Sequence, residues 1–232
     1  LLYGWRRGNL PPVTAAALLI GLMLIEFGNL AGIYWPNREE TNRNPYLPKM
    51  SQDSEIANYL MSVPWPVRME VSDKEIPYGF GDWYGIDQFG GYVASLPVNL
   101  LRLPFHTALA KQIFGVNFTV KREPPDANQQ EVFRASNGLK IYWNRDAFPR
   151  VWTVHEAKRV HDESEIQAIM GGGPLDLRRT TFLLEEPPPM EACQDEDDVR
   201  LTRRNSGRVT IEAEMGCRGM VILGDSYFPG WV

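Results

Sequence analysis

VTAAALLIGLMLIEFGNLAGIYW, residues 13–35, is a nearly unbroken apolar run set ahead of roughly 200 residues of ordinary globular composition. As a helix at 1.5 Å per residue it would reach about 34 Å, and the hydrocarbon core of a bilayer needs about 30 Å. The run therefore predicts an N-terminal transmembrane helix within residues 1–36. Its strictly apolar part, 13–25, is followed by Glu26 and Asn29, which are costly in lipid unless they face protein or water. Glu26 is then either a functional intramembrane group or the hydrogen-bonding partner of a neighbouring helix. Tyr34 and Trp35 suit the headgroup boundary, and Pro36-Asn37 is expected to end the element. The competing reading is a secretory signal, with Arg6-Arg7 ahead of a short apolar core. No small-x-small cleavage site follows that core, and the opening Leu1 suggests a piece of something longer. Basic residues flank the run on both sides, so charge alone does not orient it.

Composition narrows the rest. The net charge of −5 and the lack of a long basic run argue against nucleic acid as a partner. Pro (18) and Gly (20) stay below the level that marks disorder, while 7 Trp, 10 Phe and 9 Tyr supply core anchors. A folded body is expected beyond the helix.

The pattern along that body predicts an α+β protein. Residues 37–50 are polar and proline-bounded and read as a linker. Ile56, Tyr59, Leu60 and Val63 repeat with helical spacing, and Pro64-Trp65-Pro66 stops that helix. Strands are expected at 67–71, 116–121, 139–143, 150–160 and 180–186, with helices at 106–114 and, capped by Asp162, up to Met170. Residues 123–130 read as a turn. The last part, 187–232, reads as an antiparallel meander: DVRLTRR, the turn NSG, RVTIEAEM, then MVIL. It resembles an incomplete β-sandwich-like unit, because a strand followed by a short apolar tail leaves an edge unprotected. The organisation expected is a transmembrane helix, a linker, a mixed α/β domain over 51–186 and a truncated β unit.

Folding the hairpin about 205–207 sets Cys217 within one or two positions of Cys193. A disulfide at the open end of the hairpin is sterically allowed, would stabilise by about 3 kcal/mol on loop entropy, and would imply an oxidising compartment. Two unpaired thiols are the alternative.

Few residues carry a chemical signature. Residues 78–92, YGFGDWYGIDQFGGY, combine glycines, aromatic faces and the acceptors Asp82, Asp87 and Gln88, a mixture suited to stacking on a sugar and binding its hydroxyls. The bland alternative is an aromatic loop plugged into the core. His155 and His161 flank Glu156, but on one strand they would lie about 20 Å apart, too far for a shared metal ion. No nucleophile–base pair, G-x-S-x-G or H-E-x-x-H is present. Acidic runs such as 195–198 read as solvated.

Four segments taken in order, EIPYGFGDWYGIDQFGGYVASLPVN (75–99), ALAKQIFGVNFTVKR (108–122), LKIYWNRDAFPRVWTVHEAKRV (139–160) and CRGMVILGDSYFPGWV (217–232), resemble the YfhO-type family of bacterial polytopic membrane proteins, which are similar to GT-C glycosyltransferases. The likeness implies an extracytoplasmic C-terminal-side region in the cytoplasmic membrane of a bacterium. The whole protein would transfer sugar from a lipid-phosphate donor to a cell-envelope glycan, with its catalytic acid upstream and absent here. It further implies missing N-terminal transmembrane helices and membrane lipid as partners, a saccharide acceptor, and a lipid-linked sugar donor with a divalent metal in the whole protein but no cofactor in this part. Trp83, Tyr84 and Asp87 are the expected acceptor contacts. The alternative is a membrane-anchored, non-catalytic carbohydrate-binding or structural module.

Overall fold

A computed structural model describes residues 11–39, 46–72, 74–77, 79–91, 100, 104, 106–171, 176–193, 197–205, 207–227 and 230–231, with backbone only on a few of them. The chain is mixed α and β and divides into two compact units, 1–49 and 50–232.

The first unit contains helix α1, Pro12–Glu39. Nine large apolar side chains between Val13 and Phe27 are exposed. They lie all round the helix, as residues 18–20 and 22–25 are consecutive at 100° steps, so no polar face faces water. Glu26 is exposed as well. The helix runs three residues beyond Pro36, whose missing N–H removes one intrahelical bond close to the C-terminal end. Among the described residues no helix is long and apolar enough to cross a membrane. Side chains on α1 are described only over 12–28, about 26 Å of helix, and its apolar sequence continues beyond that point.

The segment expected as a linker holds helix α2, Tyr46–Gln52; Pro48 sits in its first turn, where no backbone N–H is needed. Helix α3, Ser54–Ser62, buries Ile56, Ala57 and Leu60 as its spacing predicts. These side chains lie against one face of a five-stranded sheet built from β1 (Arg68–Val71), β2 (Asp87–Phe89), β3 (Phe118–Lys121), β4 (Gln129–Arg134) and β5 (Lys140–Asn144), in the order β2-β1-β3-β5-β4. Strands β2, β1 and β3 are parallel, and β5 and β4 continue antiparallel. Period-2 alternation turns Met69, Phe118, Val120 and Ile141 toward α3, where they join Leu60, Ile76, Phe80 and Leu139 in the main core. The β4–β5 turn docks on the start of α3: Asn137 Nδ2 donates to Asp53 at 2.7 Å, and Ser136 donates through backbone N and Oγ to Glu55.

Two short helices make the crossovers between parallel strands. Helix α4, Phe80–Tyr84, links β1 to β2, and α5, Ala108–Ile113, precedes β3 with Thr107 Oγ1 accepting from Ala110 N as its cap. Residues 78 and 92, the ends of the glycine-aromatic segment, lie outside the described residues; within it the chain forms α4 and β2 rather than an irregular loop.

The strand expected over 150–160 breaks in two at His155. Strand β6, Val151–Val154, pairs with the late strand β11, Met220–Leu223, whereas β7, Glu156–Arg159, pairs in parallel with β8, Thr180–Leu183. Helix α6, Glu163–Met170, connects them, with Asp162 Oδ1 accepting from Ser164 N and Glu165 N. The hairpin of β9 (Asp198–Asn205) and β10 (Arg208–Glu214) forms as expected, with one register shift. A β-sandwich-like unit does not form among the described residues, because β11 leaves the meander to zip onto β6 and each of these ladders stops at two strands. Segments on either side of residue 187 therefore share hydrogen bonds.

Candidate functional site

The second face of the five-stranded sheet carries polar side chains beside apolar rings, Phe89 and the enclosed Tyr142 among them. Alternation that sends Met69 and Val120 to the core sends Glu70, Thr119, Lys121, Tyr142 and Asn144 the other way. Glu70, Thr119, Lys121, Asn144 and Gln129 line a cleft of about 420 Å³, walled by Lys111 and Gln112 of α5 and by Glu123, Asp126 and Asn128 of the loop leading into β4. Parallel strands β1 and β3 end at this cleft, the position where α/β sheets commonly bind ligands. Two ion pairs fix its walls: Lys111 Nζ to Glu70 Oε1 at 2.5 Å and Lys121 Nζ to Asp126 Oδ2 at 3.0 Å. Its floor is a side-chain network in which Asn144 Nδ2 and Gln129 Nε2 donate to Thr119 Oγ1. Amides, hydroxyls, carboxylates and ammonium groups thus converge on one concave surface. Such groups, set among the apolar Val71, Ala108, Val116 and Val120, can hydrogen-bond a ligand that enters the cleft.

Glu75 lies in the turn after β1. Burial and the charge of Glu123 raise its pKa, with Arg122 pulling the other way. Its Oε2 is buried without a hydrogen-bond partner. Such a carboxyl favours its neutral form, but Glu75 is not among the residues lining the cleft.

The three residues expected to contact a saccharide do not form one surface. Trp83 is 59% exposed on α4. Tyr84 turns inward, packing on the core beside Phe80, with its hydroxyl donating to Met50 O at 2.7 Å. Asp87 belongs to an ionic cluster. Arg204 from the β9–β10 hairpin donates to both of its oxygens, and Arg150 Nη2 lies 3.8 Å away. Arg150 also forks onto Asp225 at 2.8 and 3.0 Å, and Arg68 reaches the same carboxylate at 2.6 Å and Gly224 O at 2.9 Å. The Arg150 side chain is only 3% exposed. Charge-assisted bonds of this kind, each carboxylate shared between guanidiniums, hold geometry rather than a ligand. The cluster escaped sequence reading because Arg68 and Asp225 lie 157 residues apart.

Cys193 and Cys217 are disulfide-bonded. His155 Nε2 lies 2.7 Å from Asp197 Oδ2, and its Nδ1 lies 3.2 Å from Arg218 O. His161 is exposed and faces Glu165 one helical turn on. Among the described residues no group of three His, Cys, Asp or Glu side chains is placed to hold a metal ion. No protein-family model, curated protein or solved structure matches the chain.

Proposed function

We propose that this chain is the membrane-tethered, extracytoplasmic part of a larger YfhO-like, glycosyltransferase-type protein of the bacterial cytoplasmic membrane, and that it holds a saccharide acceptor. The observation that carries the tether is α1, a helix whose exposed surface is apolar on every side; surface of that kind needs lipid or other helices around it. The Cys193–Cys217 disulfide supports an oxidising, extracytoplasmic location for the second unit. The polar cleft at the ends of β1 and β3 supports saccharide binding and replaces the Trp83–Tyr84–Asp87 surface as the acceptor site, since Tyr84 and Asp87 are committed to packing and ion pairing. The catalytic acid and the lipid-linked donor belong to the missing upstream helices.

Two measurements test this reading. The full chain expressed in a bacterium should stay in the membrane pellet after an alkaline carbonate wash, and its cysteines should resist alkylation until reductant is added; recovery in the wash with two free thiols overturns the tether and the location together. In detergent, Asn128→Ala and Glu123→Gln should each weaken binding of cell-envelope glycan fragments about tenfold, the value of a lost hydrogen bond in a formed site. Unchanged binding in both variants removes the cleft as the acceptor site. A purely structural, membrane-anchored module is the second reading, favoured by the inward turn of Tyr84 and the ionic role of Asp87. Absence of any glycan binding by the folded protein selects it.

A further inference from the structure

The β9–β10 hairpin is attached to the body of the domain at its two ends by different chemistry. Near its tip, Arg204 pairs with Asp87 of β2. At its open end the disulfide joins the two arms to each other, as does the backbone bond from Glu191 N to Arg218 O at 2.9 Å. Neither of these contacts reaches β6. Asp197, at the base of β9, does: it accepts from His155 just past the end of β6 and from Thr153 within it, side chains two apart on the same strand face. The loop carrying Cys217 closes over the same ring. Arg218 O faces His155 Nδ1, Gly216 N donates to Asp197 Oδ1 at 3.3 Å, and a Cβ on Gly219 would stand 2.7 Å from Nδ1. Only glycine permits that approach.

Both ring nitrogens of His155 face oxygens, an arrangement that the imidazolium satisfies at both and a neutral ring at one. A neutral ring keeps one N–H and turns a lone pair toward the other oxygen. The Asp197 side chain is 2% exposed, so loss of the imidazolium leaves a buried carboxylate without its countercharge. Among the described residues the charge facing the ring is Asp197; Arg218 and Glu191 approach it through their backbone, and Glu156, next in the chain, turns to Lys158 and Thr180 instead.

We propose that His155 and Asp197 form a proton-operated clasp that fastens the open end of the β9–β10 hairpin to β6 and releases it as the surroundings become more alkaline. The shifts agree in direction. The hydrogen bond to Asp197 raises His155 against the opposing effect of burial, with backbone contacts to Arg218 and Glu191 adding to the rise. Burial pushes Asp197 up, but the hydrogen bonds from His155, Thr153 and Gly216 outweigh it and leave the carboxyl below its usual range. Because the folded-state value of His155 is raised, the clasp is fully closed below the ordinary histidine value and is lost as pH rises through the higher one. Below the ordinary carboxylate range Asp197 gains a proton and the clasp weakens again.

The test uses the full chain in detergent, with ring carbons of histidine labelled for NMR and backbone hydrogen exchange followed over about pH 5 to about pH 9. His155, assigned by its loss in His155→Gln, should titrate above the ordinary histidine value, and Asp197→Asn should remove the difference. Protection of amides in β9 and β10, relative to β3 and β5, should fall about tenfold for each unit by which His155 exceeds the ordinary value. That fall should vanish in His155→Gln, which keeps one donor at every pH. The proposal is overturned if His155 titrates at or below the ordinary histidine value, or if the hairpin tracks β3 and β5 at every pH. The wild-type curves decide the matter even if Asp197→Asn fails to fold.

Discussion

The five-stranded sheet and the region that follows it are held together by different forces. Under α3, fourteen buried apolar side chains form one contiguous core in which Ile56, Met69, Phe80, Leu139 and Ile141 are fully enclosed. From residue 148 onward the largest buried cluster shrinks to Phe148, Trp152 and Val154, with Val151 and Val160 buried outside it and partly buried neighbours such as Ile113, Leu177 and Ile222. Apolar burial contributes in proportion to area, so the second region cannot depend on it to the same degree. It carries the Arg68–Arg150–Asp225 network, the disulfide and the His155–Asp197 pair instead. Where two-stranded ladders leave too little surface to bury, directional and covalent links fix the chain.

Asp225→Asn should do the greatest damage and falls on the second region. It leaves two enclosed guanidiniums facing a neutral amide, and breaking one side of a buried ionic set costs about 3–5 kcal/mol. Urea unfolding followed by tryptophan fluorescence measures it, and a loss under about 1 kcal/mol would show that the network is not what fixes β11. Leu60→Ala, removing a side chain 1% exposed in the main core, should cost about 2–5 kcal/mol through lost transfer energy and a cavity. Replacing both cysteines by serine should cost about 3 kcal/mol, with faster hydrogen exchange in β9 and β10 and little change in β3 and β5. A uniform change across both regions would mean that they unfold as one unit, erasing the contrast.

What the sequence made legible was local pattern, in either region. Helix α3 could be read because Ile56, Tyr59, Leu60 and Val63 share one face, and β9–β10 because NSG sits between two alternating runs. Strand β4 was missed: QQEVFR lies at a sheet edge and turns only Val132 and Phe133 toward the core, so its apolar signal is too weak to separate from the turn before it. The break at His155 was invisible for another reason, since it depends on Asp197 and Gly219, which approach only after folding. Of the site, hairpin register allowed the disulfide but left two unpaired thiols open, whereas the cleft is the reverse of a pattern already used to find the core. Every inward-facing Met69 or Val120 implies an outward Glu70 or Thr119, but nothing in one strand says whether that outer face will be covered.

Trp83 gives the mildest expected effect and the sharpest separation of structure from binding. Its ring is 59% exposed on a five-residue helix, so Trp83→Ala should shift unfolding free energy by no more than about 0.5 kcal/mol. Its neighbour Tyr84, which packs against the core and donates to Met50 O, should cost several times as much when cut to alanine. If glycan binding survives Trp83→Ala and falls in Asn128→Ala, recognition lies on the open face of the sheet. If the reverse holds, the exposed indole is a stacking platform and the glycine-aromatic segment regains its role as the acceptor contact. The two outcomes cannot both be explained by altered stability, because neither Trp83 nor Asn128 belongs to the core whose loss would unfold the domain.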